Sequence, residues 1–232
     1  MAWVYNITDS LSSLTTAQKE NNANEFRNKM ASYGWTLQAI CGALGNIQYE
    51  GLINPGQCEN GYGVPQSPTD VWYLGGLGLI GWTGGYGQWP NAIITYAIDT
   101  GGVWWDGDLQ CEFLTKGDDY NVNHGYWMWL PRGPWTAVDT IAEYSQWSGS
   151  VADAAACFCY NAEYPADIEN VIPDRQTAAE YWYDYFNGGP EPPPPTPPTP
   201  DPPTPGWLTL DKMGIILTLK RKKLRKPDIR RR

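Results

Sequence analysis

Eleven of the sixteen residues from Pro190 to Pro205 are proline. Proline lacks an amide proton and fixes φ near −65°, so such a run can enter neither a helix interior nor a central strand. It must be an extended polyproline II spacer, reaching roughly 50 Å at about 3.1 Å per residue. The chain is thereby cut into three parts: a body, 1–189, long enough for a single core; the spacer, 190–205; and a short tail, 206–232.

Charge follows the same division. The body carries 6 Lys and Arg against 21 Asp and Glu, a balance of −15, the spacer adds −2, and the tail is +8. An acidic body of this kind should not bind free nucleic acid through its bulk surface. The tail contains Lys220-Arg221-Lys222-Lys223-Leu224-Arg225-Lys226 and ends Arg230-Arg231-Arg232. Two readings of it stand: a solvated end, or a tethered peptide that docks on an anionic surface or a partner protein.

Five cysteines, Cys41, Cys58, Cys111, Cys157 and Cys159, are an odd number in a chain too long to need disulfide staples. Mostly reduced thiols, and synthesis in a cytoplasm, are the expectation. The N-terminus shows no basic stretch followed by an apolar one, so no signal peptide is visible. The best apolar run, Met213 to Leu219, is far short of the roughly 20 residues of a membrane span. Any work outside a cell would then follow lysis or be done as part of a particle.

Along the body the pattern is mainly helical. Residues 1–14 read as a lead-in. Phe26, Met30 and Tyr33 predict a helix from Thr16 to the stop at Gly34. Further helices are expected at about 36–49, 91–99, 107–116, 136–147, 150–163 and 174–187. Residues 56–90, rich in Gly and aromatics, read as a small β-hairpin or looped element, and 117–135 as a second aromatic loop containing His124.

The second helix bears the most informative residue. Thr36 is its N-cap candidate, and Ile40, Leu44 and Ile47 recur at helical spacing. The next step of three falls on Glu50, so a carboxylate occupies an apolar position. Buried there, desolvation would raise its pKa and suit it to act as a general acid. The competing reading is a carboxylate turned to solvent at a fraying helix end.

Several chemistries are excluded by residue supply. One histidine, His124, all but removes a His-based zinc site and leaves a serine or cysteine triad a single base. No Gly-x-Ser-x-Gly elbow and no phosphate-cradling Gly-Lys-Ser/Thr loop is present. What the chain has in quantity is carboxylate, Gly-rich backbone, and 13 Trp and 15 Tyr against 4 Phe. Aromatic rings with a polar edge can stack on sugars, and a protonated carboxyl can break a glycosidic bond. No metal and no cofactor is called for.

Five segments, in order, carry a resemblance. Gly45-Asn46-Ile47-Gln48-Tyr49-Glu50-Gly51-Leu52-Ile53-Asn54-Pro55 resembles the catalytic-helix motif of the phage tail lysozyme family, wall-degrading domains of bacteriophage tails. Gly76 to Thr83 resembles its Gly-aromatic-Gly and Gln-Trp-Thr segment, and Asp108 to Leu114 its next helix. Phe158 to Pro165 resembles its aromatic-x-x-x-x-Glu-x-Pro segment and the Ala-Tyr-Asn-Ala-Gly signature of lytic transglycosylases. Arg175 to Tyr183 resembles the closing helix.

The resemblance implies an α+β, predominantly helical, lysozyme-like fold of the goose-type or transglycosylase-like kind, with a small β element. It implies cleavage of the bond between N-acetylmuramic acid and N-acetylglucosamine in peptidoglycan, with Glu50 as general acid. Gln48, Tyr62, Gly78, Leu79 and Trp82 would line the substrate cleft, with Tyr160 and Asn161 near the acid or the reacting sugar, and Glu163 would be structural. It also implies a place in the virion tail. Two positions depart from the family pattern: Gly51 stands where a Ser is common, and Gly81 where a Gln is usual. Glu59, Asp70 and Asp99 are the carboxylates considered for placing a water. A sugar-binding tail component without turnover, and a free endolysin, are the other readings.

Overall fold

The computed structural model describes residues 2–10, 14–65, 67, 75–82, 91–124 and 129–188, with the backbone alone for 117–124. Seven α-helices order the described chain: α1 (Thr16–Ser32), α2 (Leu37–Glu50), α3 (Ala92–Thr100), α4 (Gly107–His124), α5 (Ile141–Ser145), α6 (Val151–Phe158) and α7 (Ile168–Phe186). A short 3₁₀ turn, Gly133–Trp135, precedes α5, and a π-helical turn, Cys159–Glu163, continues α6.

Local chemistry sets most of the boundaries. Thr15 and Gln18 form a reciprocal capping box at the start of α1. The hydroxyls of Thr36 and Ser150 accept amides in the first turns of α2 and α6. Three expected spans need correction. The fourth helix runs to His124, so the aromatic loop expected from 117 begins later. The helix expected over 136–147 is reduced to α5, because Thr140 caps a new start and Glu143 reaches back to the Asp139 amide. The last helix begins at Ile168, not 174; Pro173 lies inside it, near enough to its start to cost one hydrogen bond without ending it.

α2 is the central helix. Every residue from Ala39 to Ile47 is buried, not one face alone. It packs against α6 and α7, and glycine makes both approaches close. A Cβ at Gly42 would lie 2.7 Å from the Ala154 Cβ of α6, and one at Gly45 would lie 2.4 Å from the Arg175 carbonyl oxygen of α7. Around this axis sit Trp35, Trp129, Tyr144 and Phe158, with ring centroids 5.1–6.1 Å apart. Much of the aromatic content is therefore core.

The β element is minimal. Among the described residues it consists of bridges: Thr8 with Gln57, Cys58 with Leu77, and Leu77 with Trp82. Leu77 and Trp82 exchange both amide hydrogen bonds, at 3.0 and 2.9 Å, around the four residues 78–81. Residues 68–74 and 83–90 of the expected hairpin lie outside the described residues.

The lead-in is knitted to the body. Asn22, fully buried, accepts from the Val4 amide and donates to the carbonyls of Val4 and Ile53. Asn54 pairs both ways with the Asn6 backbone, and Thr8 bonds to Gly56 and Cys58. The strap thus clamps the turn that follows Glu50. That turn holds Leu52 and Ile53 at φ 53° and 56°, a left-handed conformation that costs a bulky L-residue roughly 1–2 kcal/mol.

Candidate active site

Glu50 is the last residue of α2, beside the bridge loop 76–82. Its Oε1 accepts from Arg175 Nη2 of α7 at 2.5 Å. Its side chain is 31 % exposed and that of Arg175 only 7 %. Glu50 is thus neither sealed in an apolar face nor left in open solvent, the two alternatives its spacing suggested. Its Oε2 faces Gly81, where an added Cβ would stand 3.6 Å away.

Arg175 is held from several sides. Its guanidinium lies 4.5 Å over the Tyr49 ring, a cation–π contact, and the Cys159 thiol of the π turn lies against it. The same π turn carries Glu163. As a residue Glu163 is half-buried, but both its carboxylate oxygens are shut off from solvent and, like Arg175 Nε, have no hydrogen-bond partner among the described residues. Burial pushes the Glu163 carboxyl well above the usual carboxylate range; the charge of Glu50 adds to the rise and Arg175 opposes it.

The loop opposite Glu50 is fixed by Gln110 of α4, a fully buried amide. Its oxygen accepts from the Leu79 amide at 2.8 Å, and its nitrogen donates to the carbonyls of Pro55 and Trp104, each at 2.7 Å. Glu59 accepts from the Gly76 amide at 2.6 Å. The loop rests directly on the end of α2: a Cβ at position 51 would lie 2.4 Å from the carbonyl oxygens of both Gly78 and Leu79. Gly51 is therefore the residue this contact demands. Gly51→Ser should push the loop away and cost about 1–3 kcal/mol, as overpacking does. Thermal melts would show it, and an unchanged midpoint would refute the contact.

Comparison with known proteins decides the family. The family model described as phage tail lysozyme matches residues 21–186, from α1 to the last residue of α7. The chain belongs to the phage tail lysozyme family. It is also 31 % identical over 168 residues to Morphogenesis protein 1 of Bacillus phage B103, covering 72 % of this chain and 40 % of that protein. Both findings tie the chain to bacteriophage, and the family to lysozyme-type activity in general. The chain spans about two fifths of the relative's length.

Within this member of the family the residues expected to surround Glu50 are placed as follows. Gln48 accepts from Trp182 Nε1 at 2.9 Å and ties α2 to α7. Gly78 and Leu79 carry the two carbonyls against Gly51, and Leu79 is buried. Trp82 is 8 % exposed, edge-on to Phe113 at 5.5 Å, so its indole is core rather than an open stacking surface. Tyr62 is half exposed, its side chain against Gly75.

Tyr160 donates to Glu169 at the surface. Asn161 is buried: its oxygen accepts from the Arg132 amide and its nitrogen faces the carbonyls of Trp135 and Val138, so it anchors the 129–138 loop. Of the carboxylates considered for water, Glu59 belongs to the loop network, Asp99 lies exposed at the end of α3, and Asp70 is outside the described residues. Arg175 as partner of Glu50, and Gln110, were not foreseen. Both fall in segments that carry the family resemblance, which was the available signal.

All five cysteines are buried and unbridged. Burial pushes Cys41, Cys58, Cys157 and Cys159 up to about 12 and Cys111 well above the usual thiol value, so none is an activated thiol. Among the described residues no three of His, Cys, Asp and Glu are grouped to hold a metal, and no helix is long and apolar enough to cross a membrane.

Proposed function

We propose that this protein is a tail-associated peptidoglycan glycosidase that opens the host wall during phage genome entry. It would cleave the β-1,4 bond between N-acetylmuramic acid and N-acetylglucosamine. The observation that carries the reading is the setting of Glu50: one carboxylate oxygen on a buried arginine, the other facing the bridge loop. In the reaction Glu50, protonated on the Oε2 side, gives its proton to the glycosidic oxygen as the bond breaks. The positive charge that develops on the muramyl ring is then met by water or by that sugar's own 6-hydroxyl.

Membership of the family supports the chemistry, and the name of the Bacillus phage relative, a morphogenesis protein, supports a particle component over a free lysis enzyme. On this reading the basic tail, 206–232, docks the domain on other tail proteins by way of the proline spacer. The protein is made in the host cytoplasm and acts from the virion. One observation favours a sugar-binding component without turnover: Gly81 brings no side chain to the oxygen that would carry the proton.

Mass spectrometry of fragments released from purified peptidoglycan tests the proposal. Reducing muramic ends are expected for a hydrolase and anhydromuramic ends for a transglycosylase. Reducing glucosamine ends would move the cut to the other bond. Binding without release of fragments would leave the non-catalytic component.

A further inference from the structure

The surroundings of Glu50 contain more ionisable groups than donation of one proton requires. Arg175 presents Nη2 to Glu50 from α7, while its Nε has no partner among the described residues. In the π turn, which packs against α7, Glu163 has two oxygens that are closed to solvent and that no donor among the described residues reaches. A carboxyl sealed in this way with nothing bonded to it is costly to fold, and π turns inserted in α-helices recur at functional sites. The ionisable groups near enough for their charge to act on Glu163, or its charge on them, are Glu50 of α2, Tyr144 of α5, Cys159 of its own turn and Arg175 of α7. Burial holds Tyr144 and Cys159 neutral, so among these described residues Arg175 is the one cation for two carboxyls.

We propose that Glu163 is a positioning residue for the reaction proposed above: it shares Arg175 with Glu50, so that one guanidinium and one proton serve two carboxyls. With both acids ionised the trio would carry a net negative charge in a largely closed pocket. With one proton it is neutral. In the arrangement described here the guanidinium is on Glu50 and the proton is on Glu163. Turning Nε and the guanidinium edge towards Glu163 lets that carboxyl ionise while Glu50 takes up the proton, the total being unchanged. When Glu50 passes its proton to the glycosidic oxygen it becomes a carboxylate again, and Arg175 returns to it. Arg175 thus follows the negative charge, and Glu163 is what allows Glu50 to hold a proton beside an arginine.

This rests on Glu50 being the acid, so the test has an arm that needs no turnover. Glu163→Gln keeps shape and neutrality but cannot ionise. Arg175 then stays on Glu50, and the alkaline limb of the kcat/KM profile on peptidoglycan should move down by about one pH unit or more. Turnover at pH 7 should fall correspondingly, about tenfold per unit, with KM unchanged. A Glu163 that only fills space would leave the profile where it is. Independently, carbon-13 titration of labelled Glu carboxyls in the full chain should show Glu163 losing its proton at lower pH in Glu50→Gln than in wild type, because the competing charge is gone.

If wild type releases no fragments but this shift is seen, the sharing stands and the glycosidase reading fails. If wild type is active and neither the pH profile nor the titration moves, the inference is overturned. Should Glu163→Gln not fold, the titration in Glu50→Gln decides alone.

Discussion

Glu50→Gln is expected to lower release of soluble fragments from peptidoglycan by about 10²–10⁴-fold, the usual contribution of a positioned general acid. The variant should still fold. Its amide oxygen can accept from Arg175 Nη2 as the carboxylate oxygen does, and Glu163 can ionise to keep the buried guanidinium paired. Loss of turnover with an unshifted melting midpoint would separate chemistry from structure. It would also separate the catalytic reading from the binding one, because glycan retention by the variant should match that of wild type. Activity within a few-fold of wild type would remove Glu50 from the role and with it the proposed mechanism.

How far this site can be read from the sequence follows from the range of the interactions. Glu50 is found by steps of three and four from Ile40, Leu44 and Ile47, because helical periodicity is a local property. Thr36, Ser150 and the Thr140–Glu143 pair signal helix starts for the same reason, although the last lies inside the span 136–147 that reads as one helix. The partner of Glu50 is 125 residues away, and no local pattern distinguishes Arg175 from a solvated helix charge. Burial of single polar side chains is equally silent. Asn161 and Trp82 occupy positions that the family resemblance links to substrate, yet packing has turned them into a loop anchor and a core ring. Gly51 and Gly81 stand out as departures from a motif. One proves to be required by two carbonyl oxygens 2.4 Å from its Cβ position, whereas the other has space but a φ of 62°, which favours glycine through the backbone alone. Only the approach of the bridge loop, a tertiary fact, tells the two apart.

Arg175→Met should be the most destabilising change at the site. Methionine can fill the space of the aliphatic stem, so the main loss is of charge: Glu163 stays sealed without the cation that opposes its rise, and Glu50 loses its ion pair. Removing one partner of a buried pair commonly costs about 3–5 kcal/mol; the partial exposure of Glu50 places this case near the lower figure. The cost has a definite pH dependence. Glu163 in the folded state holds its proton above the ordinary carboxylate value of 4.5, so the native state binds more protons than the unfolded one. Stability is then fully present below that value and is lost as pH rises towards the folded pKa. Without Arg175, which opposes the rise, the loss should run on to higher pH. The variant should therefore melt close to wild type near pH 4.5 and fall progressively below it towards pH 8. Adding Glu163→Gln should return much of the difference at pH 8, since the remaining buried group cannot ionise. A deficit of the same size at both pH values, unrelieved by Glu163→Gln, would mean that Arg175 stabilises by packing on Tyr49 and α2, not by balancing two carboxyls.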